Sequence, residues 1–410
     1  MRILHTADWH LNDRLGRIDR TDDLRKAVER IGELCTSESI DLLLIAGDLF
    51  SELARPDALR ETIYHWQEVF GRFLAHGGTI VAITGNHDNE NFCRTLTHAM
   101  QLAAPVPLEL GAMLSPGRMH LATEPSLLRL RDPRESHAIQ LVLMPYPTPT
   151  KYLGPDAPRR FGTLEEKNRL LQSAATTWLR DIRRHASFDR RNPSILMGHL
   201  NIRGAAVGQG LFRLTEQEDV LLEAADLGDD FAYVALGHIH KAQYLGGKKT
   251  VRYSGSIERM DLGEQHDAKG VVIFEMGASG IVGEPRVIPL PATPMYDVVI
   301  RNPAMELPVL EKLYPEAATA LVNLHLIYTA GTDSLESILA DLDRIFPRWY
   351  AREWQEANAV GASLVRESTP VMSFGQTVRE YLDRELIQHD ETERQAILAL
   401  AESFIAQVQP

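Results

Sequence analysis

Apolar residues along this chain follow two spacings. Short unbroken runs recur at Arg2–Thr6 (RILHT), Leu42–Ala46 (LLLIA), Thr79–Thr84 (TIVAIT), Ala138–Met144, Ser194–Met197 (SILM) and Phe231–Leu236. Continuous apolar character without polar alternation predicts strands buried on both faces, as in a sheet flanked by helices. Between these runs the period lengthens to that of a helix. Asp22–Glu38 carries Leu24, Val28, Ile31 and Leu34 on one face. A second helix opens at Pro56, carries Leu59, Ile63, Trp66, Phe70, Phe73 and Leu74, and stops at Gly77-Gly78. Glu165–Ala186 and a shorter stretch around Thr215–Ala224 also read as helices. Strand, helix, strand, helix, strand in the first ninety residues imply right-handed crossovers and a mostly parallel central sheet.

The later chain is organised differently. Gly246-Gly247 marks a hairpin, with further strands expected at Val251–Ser256 and Lys269–Glu275. Three prolines in PLPATP, beyond Pro289, mark a boundary. Met295–Arg301 (strand), Ala304–Leu313 (helix), Leu321–Tyr328 (strand) and Leu335–Phe346 (helix) then form a compact α+β unit, and Gly361–Pro370 reads as a linker. Two helical stretches follow in Phe374–Pro410. The first carries Val378, Tyr381, Leu382 and Leu386; the second has a stripe of Ile397, Leu400, Ala401, Phe404, Ile405 and Val408. A segment this short cannot build its own core, which favours docking onto another protein over packing back on the chain's own body.

Composition narrows the function classes. A chain of 410 residues with 44% hydrophobic and 24% charged residues has room for two or three domains and a substantial core. No run approaches a membrane span. Cys35 and Cys93 have neither disulfide-framework nor zinc spacing, so a reducing cytoplasm is the expected location. A net charge of −13 argues against non-specific coating of nucleic acid, yet leaves room for a nuclease whose bound cations supply local positive charge.

The chemistry lies in the residues just beyond the apolar runs. DWH (Asp8, His10), GDLF (Asp48), GNHD (Asn86, His87, Asp88), GHL (His199) and GHIH (His238, His240) each stand where a strand should end. That is the end of an open α/β sheet where ligands bind. Each motif alone is weak; all of them at strand ends indicate a metal site. Aspartate oxygen, asparagine carbonyl and imidazole, without thiolate, suit Mn²⁺, Fe or Zn and are too nitrogen-rich for calcium. The set is also too large for one ion. Two divalent ions roughly 4 Å apart repel by about 16 kcal/mol at an effective dielectric of 20, so an anion must bridge them. Asp48 is the expected bridge.

These motifs, in order and spacing, resemble the calcineurin-like metallophosphoesterase superfamily. LHTADWHL, the GDLF loop, YVALGHIHKAQY and YSGSIERMDLGE followed by KG are similar to the SbcD-type DNA repair nucleases, over about the first 275 residues and more weakly to the end. The resemblance implies an α/β class, a metallophosphoesterase fold with central β-sheet layers flanked by helices, over residues 1–290. It further implies a small α+β capping domain that helps place DNA over the metals (291–360), a linker (361–374) and a C-terminal helical tail (375–410). It implies two divalent ions, expected to be Mn²⁺. Asp8, His10, Asp48 and His240 would hold one ion; Asp48, Asn86, His199 and His238 the other. His87 would not be a ligand but would face the scissile phosphate, as transition-state stabiliser or proton donor to the leaving oxygen, with Asp88 orienting it. Ser254 and Ser256 would contact a substrate phosphate. The implied partners are DNA and an SbcC-type ATPase bound by the C-terminal helices, with a homodimer of the nuclease subunit inside a heterotetramer and no membrane. The chain departs from the family pattern at Asn12-Asp13-Arg14, which intervene before Gly16, and in the short glycine-rich loop Asn201–Leu211.

Other features have simpler readings. His5 points into the first strand and is expected to be a core histidine. Arg180, Arg183, Arg184, Arg190 and Arg191 precede the strand leading to His199, so they belong to a solvated face away from the metals. Lys248 and Lys249, at a hairpin tip, are candidates for a backbone phosphate. The alternative function is a stand-alone phosphatase or phosphodiesterase acting on small molecules; roughly 120 residues beyond the metal domain speak against it.

Overall fold

Leu43 and Ile45 pack into one apolar core, whereas Leu42, Leu44 and Ala46 pack into another. The unbroken run is therefore explained by apolar neighbours on both sides of its strand. The computed structural model describes residues 1–51, 55–107, 109–135, 137–154, 161–207, 220–227, 230–357 and 365–367. Its chain divides into two compact units, Met1–Tyr296 with Thr319–Leu321, and Asp297–Ala318 with the chain from Val322 onward.

Two facing mixed sheets build the first unit. One is ordered Gly280–Pro289, Gly270–Gly277, Arg2–Thr6, Leu42–Ala46, Thr79–Ile83, Met119–Ala122. Its last four strands run parallel, and the first two antiparallel. The other is ordered Gln243–Leu245, Lys248–Tyr253, Tyr233–Gly237, Ser194–His199, Ala138–Met144, Ser126–Arg131, Ala112–Leu114. Its central four strands are parallel. Ile3, Val81 and Ile83 from the first sheet meet Leu141, Leu143, Ile195 and Met197 from the second in a shared inner core. Helices Thr21–Ser37 and Pro56–Ala75 cover the outer face of the first sheet, and helix Leu164–Ile182 that of the second. The expected mostly parallel sheet is thus two sheets in a helix–sheet–sheet–helix stack.

Several boundaries move for identifiable reasons. Helix Leu164–Ile182 ends four residues before the expected Ala186, because Phe188 has to turn back into the apolar core. Helix Glu90–Ala103, not evident from periodicity, starts where the Asn89 side chain accepts the Phe92 N–H at 3.0 Å. Within Thr215–Ala224, Leu221–Leu222 is a short strand paired with Asn201–Ile202, and helix begins only at Ala224. Residues 215–219 of that stretch lie outside the described ones.

The second unit has strands Leu321–Tyr328, Trp349–Glu356 and Val365–Glu367 in one sheet with Met295–Ile300, and helix Leu335–Ile345 burying Ile338, Leu342 and Ile345. Pro308 breaks the expected Ala304–Leu313 helix into Pro303–Glu306, a 3-10 turn Leu307–Val309 and Leu310–Leu313. The expected 361–374 linker contains Val365–Glu367, which pairs antiparallel with Arg352–Trp354. The expected tail helices at 375–410 lie outside the described residues.

Candidate metal centre

Loops from both sheets bring the motif residues together. Asp8 N–H donates to Gly47 O at 3.0 Å, Trp9 and His10 N–H to Asp48 O at 2.8 and 2.9 Å, and Leu11 N–H to Leu49 O at 3.0 Å. The first two motif loops are therefore zipped along their backbones. Asp48 accepts the His87 N–H (2.9 Å), and Asp8 accepts the His238 N–H across the two sheets (2.9 Å). Four of these residues have left-handed backbones: Asp8 (φ 53°), His10 (45°), Asp48 (51°) and His238 (96°). Non-glycine residues adopt this region at a strain of about 1–3 kcal/mol each, a feature that clusters at functional sites.

The side chains converge. Ligand-type atoms of Asp8, His10 and His240 lie within 4.8 Å of one another, as do those of Asp8, Asp48 and His199 and of His10, Asp48 and His87. His10 Nε2 is 3.0 Å from His240 Nε2, and His199 Nε2 and His238 Nδ1 lie 3.0 and 2.9 Å from Asn86 Oδ1. Asp8, His10, Asp48, His199 and His238 are buried, while Asn86 opens the cluster to solvent. The His199 Nδ1–H donates to Ala46 O at 2.8 Å and the His240 Nδ1–H to Glu264 at 2.7 Å, so each ring is held with its Nε2 turned inward. Asp8 Oδ2 is buried without a hydrogen-bond donor. Inward-turned imidazole nitrogens and a buried carboxylate oxygen without a donor, facing one space, fit divalent cations, and the thiolate-free donor set suits Mn²⁺, Fe or Zn.

Electrostatics point the same way. Burial pushes the Asp8 carboxyl above its usual range and the His10 imidazolium well below its own. Burial opposes charge on Asp48 and His199 as well, but their mutual attraction prevails. Asp48 is held well below the carboxylate range and His199 is raised to about 9. Asp88, buried beside Asp48, is pushed up to about 6.

With this geometry in hand, the relatives become informative. Residues 1–242 match the calcineurin-like phosphoesterase family. The chain is 30% identical to the SbcD subunit of the SbcCD nuclease of Rhodobacter capsulatus over 360 residues, covering 84% of this chain and 76% of that protein. The SbcD subunit of Bacillus subtilis is 28% identical over 67% of this chain and 66% of its own length, and that of Escherichia coli 28% over 62% and 60%. The chain belongs to the calcineurin-like phosphoesterase family. A solved dimetal phosphatase from Danio rerio aligns over 71% of this chain at 10% identity and a TM-score of 0.38, too loose a likeness to add to that assignment.

For this phosphoesterase, the seven expected ligand residues and His87 lie around one centre, with the His87 and His10 rings 5.0 Å apart. Other expectations need correcting. Asp88 does not spend its carboxylate on the His87 ring; Oδ2 accepts from Gly85 N–H at 2.7 Å and Oδ1 from Phe50 N–H at 2.9 Å. It shapes the turn carrying Asn86 and His87, because backbone donors at that turn would otherwise be buried unpaired. Ser254 and Ser256 are fully buried and not available to substrate: Ser254 Oγ donates to Gly255 O at 3.3 Å and Ser256 Oγ to Glu258 O at 2.8 Å. Lys248 and Lys249 begin a strand parallel to Tyr233–Gly237, so they stand roughly 20 Å of extended chain from the metal-facing end. Lys249 pairs there with Glu284 at 2.8 Å.

Glu264 escapes a reading of the sequence. A carboxylate behind His240 is one of the partners that steady a metal-ligating histidine, and it lies within the YSGSIERMDLGE run, but nothing local names its partner. Tyr146 also stands at the centre, its ring 5.7 Å from that of His238. His5 is a core histidine, bonded to the Tyr233 hydroxyl at 3.0 Å. The arginine cluster is engaged locally, with Arg183 and Arg190 on Asp230 and Arg191 on Asp189.

Proposed function

We propose that this chain is a two-metal DNA nuclease, hydrolysing phosphodiester bonds as the nuclease subunit of an SbcCD-like DNA end-processing complex in the cytoplasm. The observation that carries this reading is the convergence of Asp8, His10, Asp48, Asn86, His199, His238 and His240 on one centre with His87 beside it. Similarity to relatives named as the SbcD subunit of the SbcCD nuclease supports the substrate class.

Asp8, His10, Asp48 and His240 would hold one ion and Asp48, Asn86, His199 and His238 the other, Mn²⁺ being the expected metal. When bound, such a pair lowers the pKa of water and clamps the attacking and leaving oxygens of an in-line displacement at phosphorus. The chain supplies the rest. Asp48 joins the two ligand sets, and the Nδ1–H bonds of His199 and His240 hold their rings in the ligating tautomer. His87 delivers a proton to the leaving oxygen, on a turn fixed by Asp48 and Asp88.

DNA, an SbcC-type ATPase docked on the C-terminal segment and a second copy of the chain are the proposed partners. Among the described residues no helix is long and apolar enough to cross a membrane. The test is cleavage of a labelled blunt or hairpin duplex in Mn²⁺, with and without the ATPase, against hydrolysis of bis-p-nitrophenyl phosphate. Higher catalytic efficiency on DNA is expected; the reverse ranking in the full complex would favour a small-molecule phosphodiesterase.

A further inference from the structure

The run YSGSIERMDLGE followed by KG, residues 253–264 and 269–270, supplies none of the seven ligand residues. Its polar side chains are nevertheless buried together behind one of them. Glu264 Oε1 accepts the Nδ1–H of His240 at 2.7 Å. Its other oxygen accepts from Lys269 Nζ at 2.5 Å and from Met260 N–H at 3.2 Å. Lys269 Nζ also donates to Ser256 Oγ at 2.8 Å and to the main-chain oxygen of His240 at 3.2 Å. All three protons of the ammonium thus have acceptors. The side chains of Lys269 and Glu264 are only 1% and 5% exposed.

A buried ion pair is weak evidence for stability, because apolar residues of similar volume would serve the core as well. What this pair does is grip His240 twice. Glu264 fixes the ring, leaving Nε2 directed toward His10, and Lys269 fixes the His240 backbone. A carboxylate behind a ligating imidazole also raises its basicity, and Lys269 keeps that carboxylate in place.

We propose that Glu264, braced by Lys269 and Ser256, is a positioning residue that sets how tightly the Asp8, His10 and His240 site holds its ion. The Asn86, His199 and His238 side is untouched by it. This inference rests on the two-ion reading above, and its test separates the two. The full chain, stripped of metal, is titrated with Mn²⁺ alone while free Mn²⁺ is followed by its paramagnetic resonance signal.

Wild type should take up two ions. E264Q, which keeps the acceptor but not the charge, should weaken one of them about 10- to 100-fold and leave the other unchanged. Melting of the metal-free protein checks folding. Because glutamine leaves Lys269 without its counter-ion, E264Q/K269M removes both charges and should show the same selective loss. In a His240→Gln background, adding E264Q should change metal uptake no further, as expected of a residue acting through His240. Wild-type affinity for both ions in E264Q, or equal weakening of both, would overturn the proposal. Uptake of a single ion by wild type would overturn the two-ion reading instead, and the proposal would then be judged on whether E264Q weakens that ion.

Discussion

Gly85 is the position where the smallest possible change should disable the centre. A Cβ added there would lie 2.0 Å from Asp48 Oδ1, 2.5 Å from Asp48 N and 2.6 Å from its Cγ, whereas ordinary contacts begin at 3.4 Å. Asp48 is fixed by the backbone pairing of its loop to Asp8–Leu11, so neither the carboxylate nor the amide can yield alone. The turn bearing Asn86 and His87 must move by about 1.4 Å, and overpacking of this kind destabilises by about 1–3 kcal/mol. The functional effect should be larger than the thermodynamic one. Misplacement near 1 Å is enough to lower a rate about 100-fold, and here the displaced groups are the proposed bridge, a ligand and the proton donor. Gly85→Ala should therefore fold, melt a few degrees lower, and lose at least about 100-fold in Mn²⁺-dependent phosphodiesterase rate. Calorimetry of the metal-free chain with bis-p-nitrophenyl phosphate kinetics measures both. A variant with wild-type metal content and rate would refute the packing argument.

Asp48→Ala should lose both ions and all activity, whereas His87→Ala should retain two ions by metal analysis and lose about 10²- to 10⁴-fold in rate; one ion per chain in active wild type, or a fully active His87 variant, would sink these roles. Burial beside Arg252 lowers the His5 pKa to about 3, so as pH falls below the ordinary value near 6.5 the unfolded chain takes up a proton that the folded one refuses. Stability is therefore lost on acidification, by about 2 kcal/mol between pH 6.5 and 5 for this group, and urea melts of His5→Phe should lack that component. Replacing Lys248 and Lys249 by glutamine should leave hydrolysis of the small phosphodiester unchanged, since both stand at the far end of their strand. Truncation after Glu367, which spares the edge strand, should leave Mn²⁺ uptake and basal cleavage intact but abolish co-purification with the ATPase; unchanged assembly would make the tail merely structural.

What could be read locally was the identity of the centre. A run such as LLLIA, short and followed at once by Gly47, reads as a strand buried on both faces, and the residue types placed at its end point to the chemistry. For that reason Asp8, His10, Asp48, Asn86, His199, His238 and His240 could be grouped from the sequence alone, and the fold brings them to one place. Partnership between distant segments was not. Gly237 is required because a Cβ there would sit 2.0 Å from Ala46 O on the facing sheet, and no pattern around either residue records that approach. The hairpin of Lys248 and Lys249 was visible, but the strand it lies beside was not, and that parallel pairing is what carries the lysines away from the metals. Likewise the oxygens of Asp88 and Glu264 were in view, while their donors on Phe50 and His240 come from other parts of the chain. Periodicity reports which face of an element is buried; what covers that face depends on surfaces that exist only once the chain has folded.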